Sequence, residues 1–438
     1  MTRSLRSVAS GLAVIAGAIA LHASPAADPD SDVLASVIVT RHGVRSPIKE
    51  ANAWYGNYSV DRWPQWTVPA GDLTPHGKRQ MELMGRYFRA FYVRAGLLSG
   101  RAEQDGGCIA LRADSDQRTI ETARDIGAGL LPGTQPVVLA RLQGKPDPLF
   151  SPVKAGLVRP DTSLAAAAVL GRIGGDPANP VKASAAAFAT LERVLLGGGK
   201  TPAGKKSILD WPVALRSDLA DGASIAIEGP LHEGERCTDN FILEYAEGMP
   251  LSDLGWGRLS RADLTELLQL HSLYFDLTQT TFYPAQLQAS NLASHILETL
   301  EQAATGRATA GSIGNPANHL VVLVGHDSNL MNLAGLMGVS WWLDGTQLDP
   351  VLPGGALVFE LRRRRSDGNI VVRLYYVCQT LEQMRAGDAP TLDNPPMVAP
   401  IFIPGCSAAT PGYDAPLDRI EALFHRVIDP ASVTPTSS

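Results

Sequence analysis

The sequence predicts an α/β protein, with one α/β domain assembled from both ends of the chain and a mainly helical segment inserted between them. Three observations lead there. Short β-branched apolar runs at 33–40 and 320–324 lack a helical period and fit strands buried on both faces. Each runs straight into polar residues, Arg41-His42-Gly43-Val44-Arg45 in one case and Gly325-His326-Asp327-Ser328-Asn329 in the other. The middle of the chain is instead rich in Ala and Leu, which favour helix. At 438 residues, the chain is too long for one ordinary compact core.

The elements follow in order. Arg3 and Arg6 precede an apolar run at 11–21 and small residues at Ser24-Pro25-Ala26, so residues 1–26 read as a cleavable signal peptide. The run falls short of the roughly 20 residues a spanning helix needs, so export to the periplasm or medium is expected, without a membrane span. After the first strand, Thr74-Pro75 supplies an N-cap and first-turn proline, and Met81, Met84, Phe88 and Phe91 follow at helical spacing to near Gly96. A second strand at 108–111 enters the polar stretch 112–118, and a helix is expected over 119–129.

Helices are expected at 163–170, 184–196, 240–246 and 261–277. Gly197-Gly-Gly-Lys200 reads as a connector, because the spacing of a phosphate loop is absent. Sheet returns at 356–360 and 370–378, and the cations at 362–365 are expected to face solvent on a hairpin around Asp367-Gly368. The expected division is 27–150 with 310–438 for the α/β domain and 151–309 for the helical insertion.

Composition narrows the function. Net charge is −6, and loss of Arg3 and Arg6 makes it two units more negative, so nucleic acid is an unsuitable partner. A small anion still fits, through a local basic pocket. Cys108, Cys237, Cys378 and Cys406 have no Cys-x-x-Cys spacing, which disfavours a zinc site. In an exported chain they are expected to form disulfides, with three pairings open.

Ligands of open α/β sheets bind at the carboxyl ends of strands. Here three such ends carry Arg41, His42 and Arg45, then Asp114 and Arg118, then His326 and Asp327. A transferring phosphoryl group spreads negative charge over three oxygens, and guanidinium forks match it. His42 supplies a nucleophilic imidazole whose neighbouring cations keep it neutral. Asp327 supplies a carboxylic acid to protonate the leaving alkoxide, so activity is expected in acid, and His326 adds a phosphate donor.

With these residues in view, Arg41-His42-Gly43-Val44-Arg45-Ser46-Pro47 and the distant His326-Asp327 resemble the histidine acid phosphatases, in their clade of bacterial periplasmic phytases and glucose-1-phosphatases. The resemblance extends to Trp63-Pro64-Gln65-Trp66, Leu73-Thr74-Pro75-His76-Gly77, Glu247-Gly248-Met249-Pro250, Gly255-Trp256-Gly257-Arg258 and Pro353-Gly354-Gly355. It implies a phosphoglycerate-mutase-like three-layer α/β domain with a smaller helical domain, the site in the cleft between them, and no metal or other cofactor.

By position it implies that His42 becomes phosphohistidine, that Asp327 donates the proton, and that Arg41, Arg45, Arg118 and His326 bind phosphate. Lys49 matches a lysine that helps hold inositol phosphate, and Asp239 matches a substrate-facing acid. Three positions depart from the phytase pattern. Arg236 is a cation unusual there, Gln288 replaces an arginine-containing segment, and Ser328 is shared with the glucose-1-phosphatases. The competing reading is an exported phosphate-ester binding protein without turnover, which would need neither His42 nor Asp327. A serine hydrolase is set aside, because no Gly-x-Ser-x-Gly precedes a helix with suitable partners.

Overall fold

The two apolar runs that end in polar residues become adjacent parallel strands. In this computed structural model, which describes residues 29–198, 201–217 and 224–434, the main sheet has eight strands. The strands in chain order are β1 (Ser31–Arg41), β2 (Ile109–Ala113), β3 (Val138–Leu139), β4 (Ala214–Arg216), β5 (Ala226–Glu228), β6 (Leu320–Gly325), β7 (Ala356–Arg364), β8 (Ile370–Cys378), β9 (Met397–Pro400) and β10 (Ala415–Pro416). The sheet runs β10-β8-β7-β1-β6-β2-β3, with β9 also on β8, while β4 and β5 form a separate pair. Strands β1, β6, β2 and β3 are parallel, and β7 to β10 pair antiparallel.

The first helices are α1 (Ala51–Tyr55), α2 (Pro75–Arg94), α3 (Ala102–Asp105) and α4 (Gln117–Leu130). The middle of the chain gives α5 (Thr162–Arg172), α6 (Asn179–Ala183), α7 (Ala185–Leu196), α8 (Pro230–Glu247), α9 (Arg261–Gln279) and α10 (Phe282–Thr305). The last are α11 (Asp327–Met337), α12 (Leu381–Ala386) and α13 (Leu417–Val427).

Alternation along β1 explains the layers. Ile38 joins Met81, Met84, Phe88 and Phe91 of α2 on one face, while Val37 and Val39 join α10 and α11 on the other. Each such buried aliphatic side chain contributes roughly 1.5–3 kcal/mol. The helix expected after Thr74 is α2, and Thr74 caps it by accepting from the Gly77 amide at 2.9 Å. Gly77 is required by close approach, since a Cβ there would lie 2.2 Å from the Val44 carbonyl oxygen. Helices α7 and α8 both pack on α9, which packs in turn on α11, whereas α10 lies against β1 and α11.

Two expectations need correction. Arg362 does not face solvent: it is 2% exposed, pairs with Glu360 at 2.6 Å and donates to the Ser31 hydroxyl at 2.9 Å. Strand β7 lies between β1 and β8, so Glu360 and Arg362, two residues apart on one side, are buried together. The hairpin itself is present, and Arg363 and Arg365 are exposed.

The four cysteines are free thiols, not disulfides. They sit on separate elements: Cys108 before β2, Cys237 in α8, Cys378 at the end of β8 and Cys406 after β9. A disulfide needs Cβ atoms within about 4.5 Å. Burial instead pushes the Cys378 thiol up to about 12. The expected signal segment, and Gly199 and Lys200 of the expected connector, lie outside the described residues. No helix among the described residues is long and apolar enough to cross a membrane.

Candidate active site

The parallel register brings three strand ends together. Arg41 of β1 lies opposite Gly325 of β6, and Ala113 of β2 opposite Val324. Just past them, the His42 amide donates to the Gly325 carbonyl at 3.0 Å and the Asp114 amide to the Val324 carbonyl at 2.9 Å. The His42 carbonyl accepts from the Gly354 amide at 3.0 Å, which ties the nucleophile segment to the Pro353-Gly354-Gly355 turn. That turn needs glycine, because a Cβ on Gly355 would lie 1.8 Å from the Tyr376 hydroxyl.

His42 is 2% exposed, and its Nδ1 lies 2.8 Å from the Gly43 carbonyl oxygen. A carbonyl only accepts, so Nδ1 carries the proton and Nε2 keeps its lone pair. Burial, then the charges of Arg118, Arg45, Arg41 and His326, hold the imidazole well below its ordinary value of 6.5. It therefore stays neutral in acid. The His326 ring lies 5.7 Å away, edge-on.

Arg41 is fully buried, donating to the Val351 carbonyl at 2.6 Å and, through Nη2, to Asp239 at 2.8 Å. The same Nη2 is 3.1 Å from Asp327. Arg45 reaches the other Asp239 oxygen at 2.9 Å. Asp239, brought in by α8, thus bridges two guanidiniums, and the charges of Arg41 and Arg45 outweigh burial to hold its carboxyl below the usual range. Burial raises Asp327, but Arg41 prevails and its carboxyl is also held low. Asp327 opens α11, where the helix dipole favours its anion, and it accepts from the Ser328 amide at 2.8 Å.

On the far side, His326 Nε2 donates to Asp114 at 2.8 Å, while Nδ1 faces Arg118 Nη2 at 3.4 Å. Arg118 also pairs with Asp116 at 2.6 Å. Asp114, Asp116 and His326 have ligand atoms within 4.8 Å of one another, the spacing of a metal site. These same atoms already pair with Arg118 and each other, so a guanidinium takes the place of a metal cation.

The structure therefore brings together His42, Asp327, Arg41, Arg45, Arg118, His326 and Asp239. Lys49 is placed differently, exposed on the rim with its Nζ 3.6 Å above the Trp54 ring. Gln288, in α10, bonds to Ser224 at 3.1 Å. Sequence reasoning missed Asp116, Trp54 and the buried pair of Glu235 and His271, 3.0 Å apart behind Asp239. Asp116 was signalled by its place two residues before Arg118; nothing in the sequence signalled the other three.

A neutral, buried imidazole ringed by fixed cations, with a carboxyl beside it, defines a phosphoric monoester hydrolase. Residues 33–185 match the histidine phosphatase superfamily (branch 2). The chain is 35% identical over 386 residues to the phytase AppA of Escherichia coli, covering 86% of this chain and 88% of that one. A glucose-1-phosphatase of Salmonella typhimurium is 26% identical, with coverage of 97% and 99%. Among solved structures, a Hafnia alvei phytase in complex with tartrate superposes with a TM-score of 0.84 at 32% identity, covering 93% of this chain and 100% of that one. A phytase from Citrobacter braakii gives 0.83 at 33%, covering 92% and 100%. The chain belongs to the histidine phosphatase superfamily, branch 2, the histidine acid phosphatases.

Proposed function

We propose that this enzyme hydrolyses phosphomonoesters through a phosphohistidine on His42, with inositol polyphosphate of the phytate class as its substrate. The observation that carries the mechanism is the His42 ring, which gives its Nδ1 proton to the Gly43 carbonyl and keeps Nε2 free. In the first step Nε2 attacks phosphorus, the bond to the leaving oxygen breaks, and Asp327 gives that oxygen its proton. In the second, water attacks the phosphohistidine, its proton goes to Asp327, and the P–N bond breaks. Arg41, Arg45 and Arg118 balance the charge on the equatorial oxygens throughout. His326, held by its Nε2 bond to Asp114 at 2.8 Å, lies beside them as a further phosphate-binding group.

Asp327 must be protonated to act, yet Arg41 favours its anion in the empty site. A bound phosphate dianion takes over that guanidinium, and the Asp327 carboxyl then gains its proton more easily. Lys49 at the rim supports the phytate reading, as does the similarity to three phytases. Glucose 1-phosphate is the second reading, favoured by Ser328 and the glucose-1-phosphatase relative. The residues before Ala27 would export the protein to the periplasm, and residues 151–309 would form the cap over the cleft.

Rapid acid-free quenching with a radiolabelled substrate should trap an alkali-stable, acid-labile phosphoprotein that is lost in His42→Ala. Its absence during wild-type turnover would overturn the mechanism. Phosphate release from phytate, glucose 1-phosphate and an aryl phosphate across acidic pH tests the substrate, and a clear preference for glucose 1-phosphate would select the second reading.

A further inference from the structure

A cleft of about 610 Å³ opens between the segment 61–67 and the turn that follows α8, and none of its lining residues belongs to the phosphate-binding floor. Its size is that of a small-molecule pocket. Trp66 and Trp256 give it aromatic surface, Arg62 and Gln65 supply donors, and Glu247 and Asp253 supply acceptors. The Glu247 Oε2 accepts from the Thr74 hydroxyl at 2.6 Å, which fixes that carboxyl and leaves Oε1 for a ligand.

The Trp256 wall is held in a strained turn. Trp256 lies in the left-handed region at φ 57°, between Gly255 and Gly257, which share that region but carry no Cβ. Its ring is nevertheless fixed: the indole N–H donates to the Arg62 carbonyl at 2.7 Å, and the ring stands edge-on to Trp63 at 5.0 Å. Next to this turn Glu244 is 1% exposed, its carboxyl facing the Gly255 amide, and its Oε2 has no hydrogen-bond partner among the described residues. Burial pushes that carboxyl well above its ordinary value, so it stays protonated. A strained tryptophan and an unpaired buried oxygen in one turn are features that persist where a site requires them.

The lining sets the chemistry of the ligand. A phosphate ester fits poorly, because Asp61, Glu247 and Asp253 outnumber the one cation, Arg62. An apolar ligand would leave these polar groups unpaired. A sugar ring satisfies both kinds of surface: its C–H faces suit the indoles, and its hydroxyls donate to the carboxylates and accept from Gln65 and Arg62. We infer that this cleft is a binding site for a short neutral oligosaccharide, separate from the phosphate site. The inference stands independently of the phosphatase reading. Such a site would hold the enzyme on polysaccharide while leaving the floor open to a phosphate ester.

The test is calorimetric titration of the full chain with maltotriose and with cellotriose, in the absence and presence of inorganic phosphate. At least one trisaccharide should bind with a Kd of about 1 mM or tighter, and phosphate should leave that Kd unchanged. Trp66→Ala should weaken binding about tenfold or more, and Gln65→Ala should weaken it less. Gln65 is exposed, so its variant remains readable if the Tm of Trp66→Ala shows that variant to be unfolded. Absence of saturable binding of both sugars, displacement of the sugar by phosphate, or unchanged affinity in the folded variants would overturn the saccharide site.

Discussion

The floor and the rim of this site are built by opposite means. The floor is made by the carboxyl ends of β1, β6 and β2, and its side chains are buried: Arg41 is 0% and His42 2% exposed. The rim is made by the segment around α1 and by α8, with Lys49 exposed and Arg236 half-buried. Parallel register fixes the floor to the backbone of the sheet, whereas at the rim the Lys49 and Arg236 side chains rest on Trp54. The chemistry is therefore the rigid part, and substrate choice can change without disturbing it.

The largest effects belong to the floor. His42→Ala should lower kcat by about 10⁴-fold or more on every substrate, since no other group accepts the phosphoryl group. Stopped phosphate-release assays would check it, and a residual rate above that level would mean a different nucleophile. Asp327→Asn comes next, with a loss of about 10²–10⁴-fold. That loss should be largest for alkyl esters and small for an aryl phosphate, whose leaving group needs little protonation.

The pH dependence has a definite sign. His42 is held well below 6.5, so the nucleophile stays neutral as pH falls through that value, while Asp327 loses its required proton as pH rises. The kcat of wild type should therefore decline on the alkaline side. In Asp327→Asn that limb should disappear for the aryl phosphate, and its persistence would assign the limb to another group.

Asp239→Asn probes the join between floor and rim. The variant leaves the buried Arg41 and Arg45 without their shared carboxylate, which costs about 3 kcal/mol. Because the folded carboxyl lies below its ordinary 3.8, its contribution is present above that value and fades as pH falls through the folded one. The gap in stability between variant and wild type should accordingly narrow in strong acid. Inorganic phosphate should raise the Tm of the variant more than that of wild type. A uniform loss at every pH, unaffected by phosphate, would mean that Asp239 acts through packing alone.

How much could be read from the sequence follows the same division. The floor was legible because apolar runs too short for helices ended abruptly in Arg, His and Asp, and strand ends are where such residues become a site. Its partners were less so: Asp116 lay in view beside Arg118, but the pairing of Glu235 with His271 joins two helices that only tertiary packing brings together. Arg362 was misjudged because charge near a turn suggests solvent, while the position of β7 between two strands decides otherwise. The cysteines were misjudged because composition and compartment say nothing about which elements approach. Trp54 gave no signal at all, since its contacts with Lys49 and Arg236 join segments far apart in the sequence.

The smallest expected effect separates the two regions without a mutation. Exposed charges are screened within about 8–10 Å at ordinary ionic strength, and buried ones far less. Raising the salt concentration should weaken Lys49 and Arg236 but hardly touch Arg41 or Arg118. The KM for phytate should then rise by about two- to fivefold between low and moderate salt, with kcat steady, while the KM for an aryl phosphate changes less. In Arg236→Gln the salt response for phytate should shrink towards that of the aryl phosphate. If both substrates respond alike in wild type, screening acts on the shared floor, and the rim contributes no separate recognition.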